Sequence, residues 1–417
     1  MCEFLHHHMN SLKKVFKGDP HIWAIIIGLS VFSLLVVYSA SSSLAYRSAG
    51  GNTAFHILRH SRHLALGLAV TFALHIFPSY RYYARLSQWL TWIVVPLLAY
   101  TMFHGVEEND AFRRISVFSI TIQSSDLAKM ALIMYLSRRL AMWQEEIHNI
   151  KKVLPMFGII WLICLFILPS NFSTSVMLFL VCVVLLFVAR VSFRHLSVFC
   201  IATLIVGSVL VASLYGLQKA GMNNAVTQRA TTWVNRMDRF FDKNHEGSEL
   251  AENYQALQAK IAIGTGGIFG KGPGNSVQRD YLPHAYSDYI FAIIIEEYGI
   301  AGGMAVILLY LNLLYRAIIM VRKCDKTFPA LLVTGLSLMV VFQAFVNMAV
   351  AVGLLPVTGQ PLPLISMGGS SILFTGAALG IILNVSRELR KQEEMTKQNT
   401  TSQKTTEPES ESRKKSK

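Results

Sequence analysis

The chain has 417 residues, of which 53% are hydrophobic and 15% charged, and its formal net charge is +14 at pH 7. A soluble chain of this length makes two or three domains with a larger charged surface, so the composition excludes an ordinary globular enzyme and points to a bilayer. The five cysteines form no CxxC pair, which argues against a zinc site and against a disulfide framework.

A helix needs about 20 apolar residues to cross a hydrocarbon core. Ten runs approach that length, at 22–45, 63–79, 87–103, 125–142, 153–169, 172–189, 195–216, 287–316, 328–353 and 366–386. The second, third and fourth are the least apolar, because Arg, Gln and Ser interrupt or flank them. The expected fold is therefore an all-α polytopic membrane protein of about ten transmembrane helices. Its one long extracytoplasmic loop, about 217–282, joins helices 7 and 8.

Basic residues recur at alternate loops. Lys13, Lys14 and Lys17 precede the first run, Arg81 and Arg85 follow the second, and Arg138, Arg139, Lys151 and Lys152 follow the fourth. Arg190 and Arg194 follow the sixth, and Arg316, Arg322, Lys323 and Lys326 follow the eighth. Lys and Arg accumulate on the cytoplasmic side of membrane proteins, so these loops and both termini are expected there. The net charge is then a topology signal, and no nucleic-acid partner is expected. The first run is too long for a signal peptide and lacks a small-residue cleavage site, so it reads as an uncleaved anchor. Three segments result: a cytoplasmic N-terminal segment at 1–21, a transmembrane domain at 22–388 and a polar, basic tail at 389–417 whose composition predicts disorder.

Four stretches carry residues unusual for a membrane span. In NDAFRRISVFSITIQSSDLAKMALIMYL, 109–136, Arg113 and Arg114 fall in an outer loop, and Asp126 and Lys129 share one helical face. A local ion pair and a substrate path both explain the last two. In YQALQAKIAIGTGGIFGKGPGNS, 254–276, glycines recur at 264, 266, 267, 270, 272 and 274. Glycines allow tight turns and close backbone approach, but the GxxxxGK[ST] order of a nucleotide loop is absent. A close-packed loop and a phosphate contact remain open, with Gly266, Gly267, Lys271 and Ser276 as candidate contacts.

LPHAYSDYIFAIIIEEYG, 282–299, sets Asp288 at the mouth of the eighth run, either as a helix N-cap or as a catalytic carboxylate. Glu296 and Glu297, farther along, are expected to shape a cavity or to pair with a cation. In VGLLPVTGQPLPLISMGGSS, 352–371, Pro356, Pro361 and Pro363 forbid a continuous helix. Irregular backbone at membrane depth survives only beside protein or a wet cavity, which makes Ser370 a further candidate contact.

These stretches, together with SAS at 39–41, resemble in order the SEDS family (shape, elongation, division and sporulation proteins), the FtsW and RodA type of peptidoglycan glycosyltransferases, from about residue 22 to 388. The resemblance implies a polymerase of lipid II at the outer face of the cytoplasmic membrane. It also implies a class B penicillin-binding protein that crosslinks the strands, and other division-complex membrane proteins as partners. Asp288 matches the family's essential carboxylate, Asp126 and Lys129 its acidic and lysine positions, and Arg113 its arginine. Departures occur at His284 and Tyr286, at Arg114 and Ser124, in the shorter Asp126, and in PSNFST at 169–174. The overall wording and the long basic tail are more FtsW-like, which favours the division septum over a RodA-like role in elongation. A lipid II flippase and a noncatalytic scaffold for the penicillin-binding protein are the competing readings.

Glycan elongation fits the polar residues chemically. A sugar hydroxyl attacks an anomeric carbon as a lipid diphosphate leaves, and Asp288 as general base would take the hydroxyl proton. Arg113, Lys129 and Lys271 would supply positive charge to the leaving group. Mg²⁺ or Mn²⁺, shared with substrate phosphates, is the expected cofactor, with no protein ligand set assigned to it.

Overall fold

The computed structural model describes residues 17–41, 53–104, 106–108, 111–117, 120–219, 234, 251–282 and 285–414. Ten helices cover the ten apolar runs. They are α1 (Pro20–Ala40), α2 (Thr53–Ile76), α3 (Arg81–His104), α4 (Ser124–Met142), α5 (Ile150–Ile167), α6 (Phe172–Val188), α7 (Phe193–Lys219), α9 (Ile290–Arg322), α10 (Thr327–Ala351) and α11 (Gly369–Lys414). An eleventh, α8 (Ala251–Gly266), lies in the long loop, ahead of a short 3-10 turn at Gln278–Asp280.

Local sequence explains where several helices begin. Asp19 caps α1 by accepting from the His21 amide at 2.9 Å, with Pro20 in the first helical position. Asn149 and Asn171 cap α5 and α6 through the amides of Lys151 and Thr174, each at 3.1 Å. By length and composition six helices can cross a membrane, namely α1, α5, α7, α9, α10 and α11, and α6 is a shorter apolar helix. The remaining three, α2 to α4, are the ones the sequence marks as least apolar. In α4 the polar residues Ser124, Ser125, Asp126, Lys129 and Ser137 are all buried. They face protein instead of lipid.

The bundle is built around α10, which packs against α4, α6, α9 and α11, while α11 lies along α2. At the basic end, Arg316 of α9 pairs with Asp19, its Nε 2.8 Å from Oδ2. There Asn384 of α11 also donates to the carbonyls of Leu74, His75 and Phe77, closing the end of α2. By contrast, α7 stands at the edge of the bundle against α6.

Three features were not expected from the pattern. A three-stranded antiparallel sheet, β1 (Val106–Glu108), β2 (Ala111–Val117) and β3 (Ile120–Gln123), fills the link between α3 and α4. Its β-branched alternation, Ile115 and Val117 against Ile120 and Ile122, suits a hairpin. Second, α9 is kinked at Gly299, whose φ of +70° divides a nine-residue arm, 290–298, from the long limb, 300–322. Third, α11 runs on to Lys414, where composition alone predicts disorder from 389. Over 391–398 Lys, Gln, Glu and Met extend an already nucleated helix readily, since propagation avoids the cost of a new nucleus; nothing in the composition of 399–414, with its threonines and Pro408, explains the rest.

Candidate functional site

Asp288 lies in a turn at 285–289, just before α9. Tyr289 occupies the cap position of α9, and no side chain caps it, so Asp288 is not the N-cap that its sequence position allows. Its surroundings hold it instead through the main chain. Asn347 of α10 donates from Nδ2 to the Asp288 carbonyl at 2.9 Å and to the Gln360 carbonyl at 2.7 Å. Ser366 donates to the Ser287 carbonyl at 2.6 Å, and the Met367 amide donates to the Tyr286 carbonyl at 2.9 Å. The segment 286–288 is thus strapped to the proline- and glycine-rich loop at 352–368. On the side-chain side, the Ser287 hydroxyl donates to Asp288 Oδ1 at 3.0 Å. Oδ2 lies 3.8 Å from where a Cβ on Gly359 would stand, an ordinary contact distance, and the φ of +66° at Gly359 is what disfavours a side chain there.

That loop is itself held under tension. Leu364 adopts φ +63°, a left-handed conformation that β- and γ-branched side chains seldom take. It is buried, and the neighbouring Pro363 carbonyl accepts from the Tyr310 hydroxyl. The loop is also tied to α6, because Gln360 donates to the Thr174 hydroxyl.

The same loop connects Asp288 to the buried charges on α4. Lys129 pairs with Asp126 at 2.8 Å and donates to Gln343 at 3.1 Å. Gln343 in turn donates to the Pro361 carbonyl at 3.0 Å, and Ser370 donates to Asp126 at 3.4 Å. Gln343 and Asn347 stand one turn apart on α10, so a single helical face carries the hydrogen bonds to both halves of the site. The structure shows the local ion pair: Asp126 and Lys129 are buried together, and hydrogen bonds through Gln343 link them to the loop that holds the Asp288 segment.

The glycine-rich stretch has a different place. Glu296 is fully buried and accepts from Lys271 Nζ at 2.6 Å, from Ser276 Oγ, and from the amides of Val277 at 3.1 Å and Gln278 at 3.3 Å. Glu297 accepts from Ser39 at the end of α1 and lies 4.0 Å from Arg279 Nη1. Both carboxylates pair with cations, as expected. The stretch folds directly onto the kink: the Ile300 amide donates to the Gly267 carbonyl at 2.9 Å, and the Ala301 amide to the Ile268 carbonyl at 3.1 Å. A Cβ on Gly266 would lie 2.1 Å from the Ile295 carbonyl oxygen, and one on Gly299 would lie 2.1 Å from that of Ile268. Backbone packs on backbone, which only glycine permits.

The candidate residues thus fall into two groups. Asp126, Lys129 and Ser370 gather with Gln343, and Asp288 joins them through Asn347 and the loop. Gly266, Gly267, Lys271 and Ser276 gather around Glu296 and the kink. Arg113 lies in β2, beside α3, and its side chain falls outside the described residues, as does His284. Sequence reasoning missed Gln343, Asn347, Gln360 and Thr174. The four-residue spacing of Gln343 and Asn347 within the apolar run VVFQAFVNMAV was the available signal.

Comparison with known proteins decides the family. The cell cycle protein family FtsW/RodA/SpoVE matches residues 20–391. The chain belongs to this family. It is 31% identical over 391 residues to the probable peptidoglycan glycosyltransferase FtsW of Coxiella burnetii, covering 90% of this chain and 98% of that one. It is 30% identical over 383 residues to the stage V sporulation protein E of Bacillus subtilis, covering 90% and 99%. Among solved structures, one described as showing the coordination of polymerization and crosslinking by a peptidoglycan synthase complex superposes with a TM-score of 0.67 at 25% identity, covering 89% of this chain and 98% of that one. The rod shape determining protein RodA of Thermus thermophilus shares the fold, with a TM-score of 0.60 at 24% identity, covering 89% and 97%. The chain is a multi-pass protein of the inner membrane in this fold family.

Proposed function

We propose that this chain is a peptidoglycan glycosyltransferase that polymerises lipid II at the outer face of the cytoplasmic membrane, in septal synthesis during cell division. The observation that carries the reading is the mounting of Asp288. Its carbonyl, and those of its two preceding neighbours, are fixed by Asn347, Ser366 and Met367, while its carboxylate abuts the loop at Gly359. A helix cap needs no such strapping; a base that must meet a hydroxyl in one geometry does. The FtsW names of the relatives support the same activity and the division role.

In the reaction a sugar hydroxyl bonds to the anomeric carbon of a second disaccharide, the bond from that carbon to the lipid diphosphate breaks, and Asp288 takes the hydroxyl proton. Lys129, with Arg113 added by the family resemblance, would offset the charge that develops on the leaving diphosphate. Lys129 comes with its carboxylate, so Asp126 and Gln343 position it. Lys271, paired with Glu296, supports the kink. Among the described residues no group of three His, Cys, Asp or Glu side chains stands ready for a metal. Mg²⁺ or Mn²⁺ would be held by diphosphate oxygens and water, with no protein ligand assigned, and would offset the leaving group's charge.

The basic loops support a cytoplasmic position for both termini and an outer position for the 217–282 loop. The peptidoglycan synthase complex among the structural neighbours supports a crosslinking partner, in our reading a class B penicillin-binding protein together with other division-complex proteins. Purified chain supplied with lipid II and Mg²⁺ or Mn²⁺ tests the activity. Uncrosslinked glycan strands are the expected product; transbilayer movement of intact lipid II without polymer would favour a flippase.

A further inference from the structure

The basic end of the bundle carries a polar pocket that the reaction does not use. A cavity of about 410 Å³ opens between the start of α3 and one face of α11, lined in part by Ser79, Arg81, Tyr82, Arg85, Glu388 and Gln392. Arg81 and Arg85 are one turn apart on α3 and both are exposed. Neither guanidinium makes an ion pair or hydrogen bond with another described residue. The acid in the lining, Glu388, is already matched by Arg387 at 3.6 Å and Lys391 at 3.4 Å. The pocket is therefore net positive, with two guanidinium groups available.

Its second property is what lies beside it. Tyr82, Leu86, Trp89 and Ile93 recur at helical spacing along α3 and are 50%, 44%, 70% and 55% exposed. A polar, cationic pocket thus runs into an apolar stripe with a tyrosine at the junction, where amphipathic side chains mark the membrane interface. A soluble anion would use the arginines and leave the stripe unused. A molecule with a phosphate head and a hydrocarbon tail uses both.

We propose that this pocket binds the headgroup of an anionic glycerophospholipid of the cytoplasmic leaflet, with its phosphate between Arg81 and Arg85 and an acyl chain along Leu86, Trp89 and Ile93. The leaflet follows from the orientation proposed above. Glu388 and Gln392, across the pocket, accept from headgroup hydroxyls, so a glycerol headgroup fits better than a bare phosphate monoester. Guanidinium binds phosphate with charge-assisted, bidentate hydrogen bonds, which is why two arginines without a partner among the described residues favour this head over a zwitterionic one.

Native mass spectrometry of the full-length chain, titrated in detergent with phosphatidylglycerol or phosphatidylcholine, tests the proposal. Each arginine near an anionic lipid surface contributes roughly a fivefold factor, so Arg81→Gln with Arg85→Gln is expected to weaken phosphatidylglycerol binding by about twenty-fivefold and to leave phosphatidylcholine binding unchanged. The control pair Arg190→Gln with Arg194→Gln, at the junction of α6 and α7 at the edge of the bundle, should bind like wild type. Should the double variant be polydisperse, Arg85→Gln alone is expected to show about a fivefold loss. Unchanged binding in the arginine variants, or an equal loss in the control pair, would overturn the assignment. So would displacement of the lipid by an equal concentration of glycerol 3-phosphate, which would make the pocket a site for a free phosphate.

Discussion

Glu296 accepts hydrogen bonds from Lys271, Ser276 and two backbone amides while fully buried. A carboxylate in that setting depends on each donor, since a buried charge left short of partners costs more than a typical contact contributes. Lys271→Met is expected to destabilise the protein by about 1–2 kcal/mol, at the lower end because the lysine is partly exposed and three donors remain. Thermal unfolding in detergent would read this, and polymerisation per folded molecule should change little. If Lys271 instead held the diphosphate, the variant would keep its melting temperature and lose apparent affinity for lipid II. Lysine beside glycines supports either role in a sequence, because the partner lies 25 residues away on another element. The same reason hid Asn347, whose partners Asp288 and Gln360 come from two other segments.

At the scale of elements, the kink of α9 and the glycine-rich stretch form one unit. Gly299 holds φ +70° against the Ile268 carbonyl, and Gly266 packs on Ile295 from the other side. Gly299→Ala combines a left-handed backbone with a clash against main chain that cannot swing away, an expected loss on the order of 1–3 kcal/mol. Protease accessibility of 264–280 should rise with it; an unchanged digestion pattern and melting temperature would show that the kink tolerates a side chain. The ten spans were legible because a bilayer demands long apolar runs, and α2 to α4 were the faintest because their polar residues turn inward. The sheet was not legible: a link between two spans in which only Ile115 to Gln123 alternates in apolar character reads equally well as a short loop. The glycine stretch announced close approach without saying whether backbone or phosphate would approach.

Over the whole molecule, polar chemistry concentrates at one end and basic loops at the other, and the proposed orientation would set the two on opposite sides of the membrane. On a cysteine-free background, a cysteine introduced within 217–282 is expected to label from outside intact spheroplasts, and one beside Arg322 is not. Reversed labelling would move the Asp288 site to the cytoplasm and the phospholipid pocket to the outer leaflet. The central claim is narrower: Asp288 removes a proton as glycosidic bonds form. Asp288→Asn keeps the size and the strapped main chain and removes the basic oxygen. Because no cap is lost, its melting temperature should stay close to that of the wild type, while loss of a general base lowers the rate by about a hundredfold to ten-thousandfold. The decisive measurement is the polymerisation rate of the purified, folded Asn variant on lipid II with Mg²⁺ or Mn²⁺, for which the account predicts a loss of that size; glycan strands made at the wild-type rate would contradict it.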